Sequence, residues 1–164
     1  MIRHANRGRL LEEIVELTNQ AYKSRNIAYI NKQPTPLKVV GGKEIYHSKA
    51  GLDFAGVVQG GRHIAFDCKT TRNSTSFPLG NVKEHQIEQI RTIHLMGGLS
   101  FLLVYWEKID KMFVVPAQMV LCFWDNALTG GKKSIPYSEF AKTLSPVGST
   151  KGIILDYLSK LISN

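Results

Sequence analysis

Apolar residues with helical spacing occur in several stretches of the chain. They recur at three- and four-residue steps over about Gly8–Lys23, which predicts an amphipathic helix. Val82–Leu95 also has helical character and is followed by Gly97-Gly98, a pair typical of a helix end. Shorter helices are predicted over Pro116–Trp124, where the proline suits the first turn, and near Ile153–Ile162.

Alternating apolar and polar residues predict the strands. Leu52–Val58 and His63–Lys69 alternate on either side of a Gln-Gly-Gly-Arg turn, which predicts an antiparallel hairpin. Leu99–Trp106 and Lys111–Val115 predict a second strand pair, while Asn73–Pro78 is typical of a polar loop. This order of helices and strands predicts an α/β fold in which helices flank a mixed sheet.

Composition and charge limit the class of protein. The chain has 164 residues, 43% of them hydrophobic and 21% charged, which predicts one globular domain over residues 1–164. Twenty-one Lys and Arg against thirteen Asp and Glu give a net charge of +8, which favours an anionic partner such as nucleic acid. The longest apolar run, Ser100–Trp106, is far shorter than the roughly 20 residues of a membrane span. We therefore expect a cytoplasmic protein without a membrane partner.

Asp53 and the triplet Asp67-Cys68-Lys69 form the sharpest chemical signal. Because side chains alternate along a strand, Asp67 and Lys69 should share one face, and the predicted hairpin would bring Asp53 close to Asp67. Two adjacent carboxylates repel each other, and a divalent metal with hard oxygen ligands removes that conflict. Lys69 would orient or help deprotonate an attacking water and stabilise a charged transition state, as phosphodiester hydrolysis requires. Taken alone, a D-x-K triplet is more typical of an ordinary solvated strand face, and the upstream Asp53 together with the basic chain favours the nuclease site about as much.

Longer motifs resemble the RecU-type Holliday junction resolvases, which are metal-dependent nucleases with the PD-(D/E)xK, restriction-endonuclease-like fold. Agreement over many segments in one order is far more specific than D-x-K alone. The matching segments run from Asn6 to about Pro136 and are NRGRLLEE (Asn6–Glu13), KQPTPLKVV (Lys32–Val40), LDFAGV (Leu52–Val57), FDCKTTRNSTSFPL (Phe66–Leu79), EHQIEQI (Glu84–Ile90), and FWD (Phe123–Asp125) followed by GGKKSIP.

The resemblance implies an active site. Asp53, Asp67 and Glu12 correspond to the metal-holding carboxylates, although Asp67 stands where the family more often has Glu. Lys69 corresponds to the motif lysine and Gln86 to a glutamine beside the site. The implied cofactor is Mg²⁺, for which Mn²⁺ would substitute. Two alternatives stay open: Glu12 as a first-turn acid favoured by the helix dipole, and Gln86 as an exposed helix residue.

Two departures from the family concern its stalk and its N-terminus. Residues 37–52 correspond to a stalk that projects into the junction centre, but this stretch is shorter here, so we expect a shortened stalk hairpin. The N-terminal extension of cellular members is also missing, which would fit a compact, phage-encoded member acting in a bacterial cell.

Basic side chains should supply phosphate contacts and a salt-dependent affinity for DNA. Considered singly, each of these side chains is also typical of an ordinary solvent-exposed charge that does not contact DNA. The candidates are Arg7, Arg9, Lys32, Lys38, Lys43, Lys49, Arg72, Lys132 and Lys133.

The predicted function is resolution of four-way DNA junctions in recombination and repair, by paired nicks in two strands of like polarity. One active site per chain then requires a homodimer, and residues 10–22 and 99–124 offer apolar surface for either an interface or the core. A recombinase or branch-migration helicase is a further partner to test. Two alternatives remain: a nuclease of the same fold that cuts linear or flapped duplex, and a protein that binds branched DNA without cutting it.

Overall fold

A computed structural model describes residues 4–34, 37–41, 43–46 and 51–162. The strands are β1 (Ala28–Lys32), β2 (Leu37–Val40), β3 (Lys43–Tyr46), β4 (Phe54–Val58), β5 (His63–Thr71), β6 (Ser76–Pro78), β7 (Leu99–Trp106), β8 (Lys111–Pro116) and β9 (Ser134–Pro136). The helices are α1 (His4–Ser24), α2 (Glu84–Leu95), α3 (Ala117–Leu128), α4 (Tyr137–Thr143) and α5 (Ser159–Ile162), with a 3-10 turn at Leu79–Asn81.

Five strands form the central sheet in the order β1-β4-β5-β7-β8. Each neighbouring pair is antiparallel except β5 and β7, which run parallel. A parallel pair needs a crossover connection, and α2 lies in the connection between these two strands. The mixed, helix-flanked sheet predicted from the sequence is confirmed.

Helices cover both faces of this sheet. On one face α2, α3 and α4 contribute Ile90, Val120 and Phe140 to a buried cluster. On the other face α1 and the C-terminal segment contribute Val15 and Tyr157. Strands buried on both sides read as nearly continuous apolar runs, which explains the composition of β7.

A buried polar network ties the C-terminal segment to α1. The Tyr22 hydroxyl donates to Asp156 Oδ1 at 2.9 Å and accepts from the backbone N–H of Leu158 at 3.1 Å. The Tyr157 hydroxyl donates to the Asn19 side chain. Burial raises the pKa of Tyr22 well above its usual value. The hydroxyl therefore stays protonated and remains the donor in its hydrogen bond to Asp156.

The structure corrects several sequence predictions. The helix expected near Ile153–Ile162 is confined to α5. Before α5 the backbone hydrogen bonds are not helical, because the N–H of Asp156 donates to the carbonyl of Gly148, and Thr150 and Ile153 each donate to the carbonyl of the other. The loop expected over Asn73–Pro78 contains β6, which pairs with the distant β9. Strand β1 and helix α4 were not predicted, and α3 continues four residues past Trp124.

Strands β2 and β3 form a two-stranded antiparallel sheet of their own. Leu37 pairs with Tyr46, and Gly41 lies in the turn with a φ of +60°, a backbone conformation that glycine adopts readily. A hairpin therefore lies within residues 37–52, where the sequence predicts one, and its assignment as a shortened stalk stays a prediction. Residues 47–50 lie outside the described residues. Among the helices that the structure describes, none is both long and apolar enough to span a membrane.

Candidate active site

The register of the β4–β5 hairpin places Asp53 beside Asp67. Phe54 pairs with Phe66, so Asp53, one residue before, stands opposite Asp67, one residue after. The backbone N–H of Asp53 donates to Asp67 Oδ1 at 3.3 Å, and the backbone N–H of Cys68 donates to Asp53 Oδ2 at 2.9 Å. Each carboxylate thus accepts a hydrogen bond from the backbone on the opposite side of the hairpin. The sequence predicted that Asp53 and Asp67 lie close together but not these two hydrogen bonds.

Lys69 and Gln86 complete the cluster around Asp67. The Lys69 ammonium lies 2.6 Å from Asp67 Oδ2 and donates to Gln86 Oε1 at 3.2 Å. The Gln86 amide donates to Asp67 Oδ1 at 2.8 Å. Asp67 is 0% exposed and Gln86 is 7% exposed, so the alternative of Gln86 as an exposed helix residue is excluded.

The first turn of α2 orients Gln86. Its side-chain oxygen accepts a hydrogen bond of 3.1 Å from the backbone N–H of Lys83, the residue before the helix. This is the reciprocal half of a capping box, in which the side chain at the third helical position satisfies a backbone donor that the helix leaves free. The same residue therefore caps the helix and contacts the carboxylate.

Gln89 is a residue that the sequence reasoning missed. Its side-chain oxygen accepts a 3.0 Å hydrogen bond from the backbone N–H of Leu52, immediately before Asp53. Residues three apart on a helix lie on one face, so Gln86 and Gln89 both face the strands. The signal for Gln89 in the sequence is its spacing of three residues from Gln86 within EHQIEQI.

The electrostatics of the site are those of two carboxylates close together in a desolvated place. The pKa of Asp53 is raised to about 6, mainly by burial and next by the charge of Asp67, while the hydrogen bond from Cys68 and the charge of Lys69 oppose the rise. Burial also raises the pKa of the Cys68 thiol, so this cysteine stays protonated. Asp67 Oδ2 is buried and accepts no well-aligned hydrogen bond within the described residues, although the Lys69 ammonium is near.

Glu12 lies on α1 and is engaged elsewhere. Because α1 begins at His4, Glu12 is in the third turn, which excludes the alternative of a first-turn acid. Glu12 Oε2 is 2.8 Å from the Lys32 ammonium, which also lies 3.3 Å from Glu16 Oε1. The hydrogen bond to Glu12 is the main cause that raises the pKa of Lys32.

Glu12 is nevertheless near the site. Its charge raises the pKa of the Cys68 thiol, as do the charges of Asp53 and Asp67. The described residues contain no cluster of three or more Asp, Glu, His or Cys side chains close enough to share a metal. The structure thus brings together two of the three predicted carboxylate ligands and holds the third in an ion pair with Lys32.

The predicted DNA-binding residues differ in their surroundings. Lys132 and Lys133 are exposed in the loop before β9, whereas Arg9 pairs with Glu13 at 3.1 Å and Arg72 with Glu107 at 3.0 Å. Lys32 is engaged by Glu12. Only the backbone is described for Arg7 in α1 and for Lys38 and Lys43 in the β2–β3 hairpin. Lys49 lies outside the described residues.

Comparisons with known proteins give a consistent result. The family model described as Recombination protein U matches residues 6–163. A Holliday junction resolvase RecU from Pediococcus pentosaceus is 37% identical over 98% of this chain and 87% of its own length. One from Latilactobacillus sakei is 38% identical over 81% of this chain and 68% of its own.

Among solved structures, the Holliday junction resolvase Hjc from Archaeoglobus fulgidus is 12% identical. The match covers 66% of this chain and 78% of the other, with a TM-score of 0.41. A similarity this low contributes nothing to the assignment of the site.

Proposed function

Because this chain belongs to the Recombination protein U family, we propose that it is a Holliday junction resolvase that nicks two strands of like polarity. The observation that carries the proposal is the cluster of Asp53, Asp67, Lys69 and Gln86 on the β4–β5 hairpin and α2. A protein that only binds branched DNA has no need of two carboxylates held together in a desolvated place, where their repulsion opposes folding.

The residues of this cluster fit a divalent metal. Asp53 and Asp67 provide hard oxygen donors, and Asp67 Oδ2 is buried with no well-aligned hydrogen-bond donor among the described residues. These are the ligands that Mg²⁺ prefers, commonly one or two carboxylates completed by water and a substrate phosphate. Bound Mg²⁺, or Mn²⁺ in its place, supplies a Lewis acid that polarises the scissile phosphate and lowers the pKa of the attacking water.

Lys69 acts on the charge that develops at the phosphate. Its ammonium is fixed by Asp67 and Gln86 and is 17% exposed, so it retains access to a substrate at the edge of the cluster. From there it would donate to the attacking water or to a phosphate oxygen. Donors fixed before the reaction stabilise the transition state because they need not reorganise as the charge develops. Gln86 holds both Asp67 and Lys69 in this arrangement.

Glu12 would serve as the third carboxylate. In the described arrangement its charge is neutralised by Lys32, which is itself a candidate for phosphate contact. A DNA phosphate that attracts Lys32 would weaken this ion pair and leave Glu12 available to the metal. The role of Glu12 as a metal ligand therefore depends on the role of Lys32 as a phosphate contact.

Phosphate contacts and a second subunit complete the proposal. The candidates for phosphate contact are the basic residues of α1, of the β2–β3 hairpin and of the loop before β9. Two symmetric nicks require two active sites, so we propose a homodimer with a two-fold axis. Strand β7 is buried in the core, whereas Leu10 and Leu17 on α1 are each 54% exposed and lie seven residues apart on one face. Light scattering should give a mass near twice 18.4 kDa.

As its relatives are bacterial, we place the protein with the DNA in the bacterial cytoplasm.

The decisive experiment compares cleavage of a fixed four-way junction and of linear duplex with the same sequence, in Mg²⁺. Asp67→Asn keeps the Oδ1 acceptor for Gln86 and Asp53 but removes the charge. We expect paired nicks by the wild type on the junction alone, and at least a roughly 100-fold slower reaction by Asp67→Asn with junction binding retained. Asp110→Asn is the matched control, because Asp110 is exposed and outside the cluster.

The alternative outcomes identify the alternative functions. Equal cutting of linear duplex would keep the nuclease and discard junction selectivity. Junction binding without cutting by the wild type, in Mg²⁺ and in Mn²⁺, would leave a binding protein. Cutting by Asp67→Asn at the wild-type rate would remove the cluster from the chemistry.

A further inference from the structure

A second cleft lies away from the carboxylate cluster, at the opposite end of α2. It has a volume of about 380 Å³ and opens between the end of α2, the start of β7, the start of α3 and the short helix α5. Gln86 and His94 mark the two sites on α2, and eight residues of helix separate them by roughly 12 Å along the axis.

Three cationic or proton-accepting side chains line this cleft from three separate parts of the fold. Arg62 comes from the β4–β5 turn, His94 from the last turn of α2, and Lys160 from α5. The described lining residues include no Asp or Glu. Elements distant in sequence thus converge on one concave, positively charged place.

These basic groups have no acidic partner in the part of the chain that the structure describes. Arg62 Nε donates to the backbone carbonyl of Gly97 at 2.6 Å, which fixes the guanidinium and leaves its two terminal nitrogens for another acceptor. Neither His94 nor Lys160 forms an ion pair among the described residues, in contrast to Arg9, Arg72 and Lys32. Fixed positive charge in a concave site favours an anion.

The remaining described residues of the lining are uncharged. Gln118 and Ser145 add neutral polar side chains at the rim, while Val114, Ala117 and Leu161 provide an apolar wall. Guanidinium donors match the oxygens of a phosphate, and a lysine adds a point charge.

We propose that the Arg62–His94–Lys160 cleft is a second phosphate-binding site, distinct from the active site, and that it takes a phosphodiester of the DNA backbone. The DNA part of this inference rests on the proposed function. Roughly 12 Å corresponds to the rise of about three to four base pairs along the axis of a duplex, so one DNA arm offers phosphates at suitable spacing for both sites. A free phosphate-bearing molecule is the other source of the same chemistry.

The test measures binding of a four-way junction in EDTA, without cleavage, between 50 and 200 mM salt. The variants are Lys160→Gln and the double variant Arg62→Gln/Lys160→Gln. Loss of one phosphate contact should lower the slope of log affinity against log salt by about 0.9 and weaken binding about 10-fold at low salt. Lys142→Gln is the matched control, since this exposed lysine of α4 carries the same charge beside the cleft without lining it. It should leave the slope unchanged.

A second arm uses inorganic phosphate and follows the imidazole signals of His94 by NMR. If phosphate shifts these signals in the wild type but not in Lys160→Gln, while all variants bind the junction alike, the cleft takes a free phosphate-bearing molecule and the phosphate chemistry stands. Unchanged slopes together with an unresponsive His94 would overturn the proposal.

Failure of the proposed function gives a different result. If the wild type does not cut junctions but the slopes still fall in the cleft variants, the second site stands and the resolvase assignment does not. Thermal unfolding of each variant, equal to that of the wild type, shows that the cleft side chains and not the fold were changed.

Discussion

The side-chain amide of Gln86 donates a 2.8 Å hydrogen bond to Asp67 Oδ1, while its oxygen accepts from Lys69 at 3.2 Å and from the backbone of Lys83 at 3.1 Å. All three contacts agree on one orientation of the amide, with nitrogen toward the carboxylate and oxygen toward the two donors. A single neutral side chain thus links the start of α2 to the carboxylate and the ammonium of the active site.

Gln86→Glu should reduce junction cleavage by about 10- to 100-fold, the usual range for loss of a partner that orients a ligand. The new carboxylate would place an oxygen against Asp67 Oδ1, where a donor is needed, and would draw Lys69 away from Asp67. Single-turnover rates on the junction measure the effect. Gln59→Glu, an exposed change of the same kind in a turn, should leave the rate unaltered. A rate for Gln86→Glu within twofold of wild type would show that the contact is not used.

Gln89→Met should weaken metal binding because it removes the acceptor that holds the backbone of Leu52 beside Asp53. We expect the Mg²⁺ concentration for half-maximal cleavage to rise several-fold, and the unfolding free energy to fall by about 1 kcal/mol. Gln89→Glu keeps an acceptor at the same position and should restore most of the metal affinity. Loss of stability without any change in Mg²⁺ dependence would make Gln89 merely structural.

Asp53 makes the stability of the metal-free protein depend on pH. Its pKa is raised to about 6 in the folded state, so between about pH 4 and pH 6 the folded chain binds more protons than the unfolded chain. The unfolding free energy contributed by this group therefore falls as pH rises through that window. The loss is about 1–3 kcal/mol, since one pKa unit corresponds to about 1.4 kcal/mol and Asp67 titrates with Asp53.

Urea unfolding in EDTA at pH 4.5 and pH 7.5 measures this contribution. Asp53→Asn keeps the acceptor for the Cys68 backbone and should be more stable than wild type at pH 7.5, with the difference much reduced at pH 4.5. Mg²⁺ should raise the stability of the wild type at pH 7.5 but not that of Asp53→Asn. Equal stability of both proteins at both pH values would mean that neither burial nor the charge of Asp67 disfavours the ionised Asp53 in the fold.

Gly56→Ala should destabilise the fold by at least about 3 kcal/mol. A Cβ at this position in β4 would lie 2.0 Å from the Tyr29 carbonyl oxygen and 2.7 Å from the Ile30 Cα, both backbone atoms of β1 that cannot move aside alone. Gly8→Ala, in α1 with open space around it, should instead raise stability by about 0.5–1 kcal/mol. Chemical unfolding measures both changes. Similar stability of the two variants would contradict the close approach of β1 and β4.

Much of the active site followed from local sequence. The pairing of Asp53 with Asp67 depends on one hairpin with thirteen intervening residues, so alternation along two adjacent strands was enough to predict it. The long helix α1 and the pair β7–β8 followed for the same reason, since their periodicity lies within the segment itself. The roles of Glu12 and Gln86 came from the resemblance, because nothing in their local pattern connects either of them to a strand.

Only the tertiary structure decided the contacts between distant segments. The pairing of Ser76–Pro78 with Ser134–Pro136, the ion pair of Glu12 with Lys32 and the hydrogen bond of Gln89 to Leu52 each join residues whose own surroundings in sequence are unremarkable. The same holds for Tyr22 and Asp156, which bring the end of the chain onto α1. Periodicity shows which face of a segment is buried but not against which other segment, and the cleft of Arg62, His94 and Lys160 depends wholly on that choice.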